Sequence, residues 1–150
     1  IVYAECSNSV QGDLSMPVRN RPKLSRDDVK SYALKLTELA KWMSDKGMTL
    51  SYHHHMGSMI EDSEDIDWLM EGSGPEVTLL YDTGHLLFAG ADPLEVLDRW
   101  GDRVHHVHSK TCVPTRWHGF AQKIAAFWMA CGQGFTQYQA IPKAALIFRQ

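Results

Sequence analysis

Apolar side chains recur at helical spacing through Val29, Tyr32, Ala33, Leu36, Leu39, Ala40 and Met43, so this stretch is read as a helix with one buried stripe. Ser25 precedes it as an N-cap, and Asp27 and Asp28 occupy the first turn, where carboxylates meet unpaired backbone N–H groups. Gly47 ends it. Upstream, residues 1–5 read as a short strand and residues 6–20 as a long polar loop. Downstream, residues 48–52 form a strand that runs into His53, His54 and His55. Residues 63–70 predict a short helix capped by Ser63 and broken by Gly72-Ser73-Gly74-Pro75. Residues 77–81 are a nearly unbroken apolar run, as expected of a strand covered on both faces, and Asp82-Thr83-Gly84-His85 follows directly. Asp92 caps a helix that Pro93 opens and Trp100 closes, and residues 103–108 form a further strand. Alternating strands and helices argue for an α/β fold with a parallel sheet under covering helices.

A length of 150 residues suits one domain, and 44% hydrophobic with 22% charged residues is the balance of a soluble globular protein. No apolar run reaches the roughly 18 residues of a membrane span, so no membrane partner is expected. The first residues carry no basic, apolar signal-peptide pattern. They also lack an initiator Met and begin inside a strand, so an upstream part is expected. Cys6, Cys112 and Cys131 are odd in number and show no CxxC spacing, which argues against a disulfide framework and for a reducing cytoplasm. A net charge of -3 gives no reason to expect nucleic acid as a partner.

The eight His change the picture because they cluster. His53 to His55, Asp82 with His85, and His106 with His108 each stand at the carboxyl end of a strand. In parallel α/β barrels the loops after the strands build the active face. Alternation sends His53 and His55 to one side and His54 to the other, and it gives His106 and His108 a common face. Imidazoles with a carboxylate suit a divalent metal such as Mn, Co, Fe or Zn. Such a metal stabilises an enediolate next to a ketone, while a nearby His or Glu moves the proton. A single strand-end His is more often structural; three clusters in phase with three strand ends favour a site. The triple His followed by Met56-Gly57-Ser58 also looks like an expression-tag scar, but it stands mid-chain at a strand end. Asp82-Thr83-Gly84 is also the aspartic-protease motif, but that fold is all-β and the helix pattern here argues against it. Glu61, Glu64 and Asp65 are read as capping or solvated, and Glu5 is balanced between site and surface.

Tyr3-Ala4-Glu5-Cys6-Ser7-Asn8-Ser9-Val10-Gln11-Gly12, Tyr52-His53-His54-His55-Met56-Gly57, Asp82-Thr83-Gly84-His85 and His106-Val107-His108-Ser109-Lys110 together resemble the inosose dehydratases, within the xylose-isomerase-like barrels. The resemblance spans residues 1–110. It implies a (β/α)8 TIM barrel, of which this chain holds about four parallel strands with helices. It implies elimination of water from 2-keto-myo-inositol, a lyase reaction of inositol breakdown. It further implies a divalent metal (Mn or Co), glutathione, and a cyclic polyol ketone as the small-molecule partner, with a homo-oligomer left open. Asp82 and His108 match metal ligands of the wider superfamily, and His53 or His55 lies nearest its strand-end Glu ligand; the metal set is written Asp82, His108 and His53. His85 matches a substrate-contacting position, and His85, His55 and Glu5 are the catalytic candidates. A late Glu ligand has no counterpart. A sugar isomerase or epimerase of the same superfamily and an inactive truncated fragment are the competing readings.

All eighteen acidic residues lie at or before Asp102, so residues 111–150 are read apart from 1–110 as an atypical tail, irregular or weakly helical near 120–130. Lys110-Thr111-Cys112-Val113 can be encoded so that the frame starting on each codon's last base reads Asp-Val-Arg. Phe127-Trp128-Met129-Ala130 reads Leu-Asp-Gly in that frame whichever codons are used. Both are family-like, so residues 111–150 are expected to be an out-of-frame translation.

Overall fold

Four short parallel strands, β1 (Val2–Tyr3), β2 (Leu50–His53), β3 (Val77–Asp82) and β4 (Val104–His108), form one sheet in the order β1-β2-β3-β4. This computed structural model describes residues 1–13 and 15–109, which belong to one compact unit, Ile1–Ser109. The expected tail helix and the expected frame change lie outside the described residues. Helices α1 (Arg26–Ser44), α2 (Ser63–Gly72), α3 (Thr83–Phe88) and α4 (Pro93–Trp100) occupy the connections between strands. Parallel strands need such crossovers, and the result is part of an α/β barrel wall, as the alternating pattern predicts.

Each helix starts where a side chain satisfies its first N–H groups. Ser25 Oγ accepts from Asp28 N at the head of α1, and Met48 N returns to Met43 O across Gly47, whose φ of +74° lets the chain leave the helix. Asp92 Oδ1 accepts from Leu94 N ahead of Pro93. Two elements differ from expectation. The N-cap of α2 is Asp62, with Ser63 the first helical residue, because Asp62 and Asp65 form a reciprocal capping box, whereas a cap at Ser63 would put Ile66, which has no acceptor, at the reciprocal position. Helix α3 begins directly after β3 and is held by Asp82, a helix that the Thr-Gly start conceals.

The stripe on α1 is buried at Val29, Ala33, Leu36, Thr37, Ala40 and Met43. It packs with Ile66, Leu69 and Met70 in the core. Burying each large aliphatic chain contributes roughly 1.5–3 kcal/mol, which outweighs the few tenths that propensity adds per residue. Strand β3 is buried along almost its whole length, as its apolar run implies. The expected strand over residues 1–5 shortens to Val2–Tyr3, which leaves Glu5 beyond the paired edge.

Candidate metal and active site

Parallel pairing brings the carboxyl ends of all four strands to one edge, and the register fixes what stands there. Tyr3 pairs with Tyr52, His53 with Leu80, Leu80 with His106, and Asp82 with His108. A register shift between Leu79 and Leu80 skips His105, so His106 and His108 share the face of Leu80 and Asp82.

Asp82 is fully buried and divides its two oxygens between two tasks. Its Oδ1 accepts from Gly84 N (3.0 Å) and His85 N (3.1 Å), which starts α3 and locks the carboxyl group. Its Oδ2 faces three imidazoles: His108 Nδ1 at 3.2 Å, His53 Nε2 at 3.3 Å and His85 Nε2 at 3.6 Å. The rings of His55 and His85 lie 3.8 Å apart, centre to centre, tilted by 46° to each other, and the His55 ring lies 5.3 Å from that of His53. His55 Nδ1 is 2.9 Å from Met56 O. A carbonyl can only accept, so this contact puts the ring proton on Nδ1 and makes Nε2 the basic atom.

Ligand atoms from His53, Asp82 and His85 all lie within 4.8 Å of one another. Ligands around a Zn- or Mn-sized cation stand roughly 3–4 Å apart, so this donor set fits a divalent metal. The Asp82 carboxyl also has the outer support that metal carboxylates need, through its Oδ1 contacts. Of the three expected ligands, His53 and Asp82 are members of this three-residue group. His85, expected at the substrate, stands in the three-residue group, whereas His108 reaches Asp82 but is not a member of it. Glu5 lies half-buried past β1, with Oε1 accepting from Ser7 N, and is not in the group.

Sequence reasoning gave His54 no task. It is fully buried, and its Nε2 accepts the Asp82 N–H at 3.3 Å, tying the end of β2 to the end of β3. Its Nδ1 is buried and has no hydrogen-bond partner among the described residues. Burial pushes the ring down to about 3, against the pull of Asp82 and with help from the neighbouring imidazoles, so it stays neutral. His106 is also held below its usual value, first by burial and then by positive charge at His105, the amino terminus and His53.

The chain belongs to the xylose isomerase-like TIM barrels, whose family model matches residues 5–144. Among curated relatives it is 43% identical over 112 residues to an inosose dehydratase of Clostridium tetani, covering 73% of this chain and 38% of that protein. It is 40% identical over 110 residues to the rhizopine catabolism protein MocC of Rhizobium meliloti, covering 73% of this chain and 34% of that one. The chain therefore spans between a third and two fifths of the length of these relatives. A solved structure, a probable 3-DHS dehydratase involved in petrobactin synthesis from Bacillus anthracis, superposes with a TM-score of 0.52 at 14% identity, covering 73% of this chain and 39% of that one. That likeness concerns the fold. Among the described residues no helix is long and apolar enough to cross a membrane.

Proposed function

We propose that this chain is part of a dehydratase that eliminates water from 2-keto-myo-inositol, in the cytoplasm. The observation that carries the reading is the convergence of three imidazoles on Asp82 Oδ2 at the carboxyl edge of the sheet. The inosose dehydratase relative supports the choice of substrate. His53, Asp82 and His85 would hold the metal, with His108 beside them. A bound Mn or Co ion would supply Lewis acidity next to the ketone. His55 Nε2, the basic atom of its ring, takes the proton from the carbon adjacent to the carbonyl. Glu5 is the candidate for protonating the departing hydroxyl. Glutathione is proposed as a second cofactor. The activity is proposed for these strands standing within a complete barrel.

The test compares dehydration of 2-keto-myo-inositol with epimerisation of ketoses by a full-length protein carrying this segment. Faster epimerisation would move the assignment to the sugar isomerases and epimerases. In the same protein Asp82→Asn should lower Mn affinity by more than roughly 10-fold. Unchanged metal content and rate would remove Asp82 from the ligand set.

A further inference from the structure

Arg21 is far from the strand edge in sequence, yet its side chain is only 9% exposed and makes five polar contacts with the segment that carries His55. Its Nε lies 3.2 Å from Glu61 Oε1, and its Nη2 lies 2.7 Å from Asp62 Oδ2 and 2.8 Å from Asp65 Oδ2. Its Nη1 donates to Ser58 O and Met59 O, each at 3.4 Å. One planar guanidinium thus grips both the backbone and the carboxylates of residues 58–65.

Two short relays lead from that grip to the site. In the first, Ser58 N and Ser58 Oγ both donate to His55 O, and His55 N donates to Ile60 O. This closes the turn that sets Met56 O against His55 Nδ1. In the second, Glu61 Oε2 accepts from Gly57 N, and Gly57 O accepts from Val10 N. Gly57 has a φ of +76°, and a Cβ there would stand 3.1 Å from Gln11 N, so the two loops meet backbone to backbone. The segment after Glu5 and the segment bearing His55 are therefore tied through Arg21 and Glu61.

We propose that Arg21, acting through Glu61 and the 55–60 turn, is the positioning residue that holds His55 in its Nδ1-protonated form with Nε2 toward the site. This rests on the reading of His55 as the proton acceptor. Removing Arg21 frees the turn, and with it the Nδ1 contact to Met56 O that the turn shapes. An unconstrained imidazole then reverts to the Nε2-protonated form that predominates in water.

The test uses the full chain labelled with 15N-histidine, without metal and at one neutral pH, and reads the tautomer of each ring from two-bond proton–nitrogen correlations. In the unaltered protein both His55 and His54 give the Nδ1–H pattern, the latter because its Nε2 accepts from Asp82 N. In Arg21→Met the expected result is that most of the His55 population moves to Nε2–H while His54 does not change. A His55 pattern unchanged from the unaltered chain overturns the proposal, and so does a simultaneous change in both rings, which would mark a general loosening. If Arg21→Met does not fold, Glu61→Gln replaces it. That variant leaves the other Arg21 contacts in place and should shift His55 in part, and no shift at all overturns the proposal. Mn added to the unaltered chain separately tests the site. Absence of broadening at His53 and His85 would count against the metal reading while leaving the tautomer result to stand or fall alone.

Discussion

Replacing His54 by Gln should remove an acid sensitivity from the fold. The folded ring is pushed down from 6.5 to about 3, chiefly by burial, while the unfolded chain regains the ordinary value. The unfolded state therefore takes up a proton first as pH falls. The stabilisation from keeping His54 neutral is complete above the unfolded value and is lost as pH drops through 6.5 toward 3. Between about pH 7.5 and about pH 4.5 the loss is RT ln(1 + 10²), roughly 2.7 kcal/mol after subtracting the small contribution at the upper limit. The result depends little on the folded value, because at the lower pH the folded ring is still neutral. Gln places Oε1 where Nε2 stands, so it can still accept the Asp82 N–H, and it does not titrate.

Urea unfolding of both proteins at the two pH values, followed by circular dichroism, measures the difference. Carboxylates also titrate in this window. Burial and the adjacent Asp62 raise Asp65, for example, but such groups are common to both proteins and cancel in the comparison. The variant should lose about 2–3 kcal/mol less than the parent on acidification, while both have similar stability near neutrality. Equal losses in the two proteins would refute the claim that His54 is a buried neutral acceptor.

Tyr81→Phe should cost about 0.5–1.5 kcal/mol in the same urea assay, because the Tyr81 hydroxyl donates to Pro93 O at 2.8 Å in a buried setting and phenylalanine loses that bond. Gly57→Ala should cost about 1–2 kcal/mol from its φ of +76° alone, and more from the approach to Gln11, seen as a lower melting temperature. For residues 111–150 we propose a displaced reading frame, although the family match runs on to residue 144. Sequencing the coding DNA should reveal a missing base near codon 110, and an intact frame shared with a natural homologue would overturn the idea.

The strands and the long helix were legible because burial imposes its period directly on the sequence. The alternation at His53, His54 and His55 correctly separated the ring that meets Asp82 Oδ2 from the ring that meets Asp82 N. Alternation assigns a face but no distance. It could not show that His85, delivered by the first turn of α3, would join His53 and Asp82 within 4.8 Å while His108 would not. Helix α3 itself was hidden, since six residues beginning Thr-Gly have little propensity of their own, and Asp82 Oδ1 supplies the missing start by accepting two N–H groups. The one carboxylate thus ends a strand, begins a helix and faces the imidazoles, one oxygen to each side. Arg21 was invisible for a different reason. Its partners lie 37 to 44 positions away along the chain, and nothing local distinguishes it from the other arginines. The chemical groups at the strand ends are local features of the sequence. The contacts that aim them are long-range, so a residue's part in positioning becomes visible only once the loops have met.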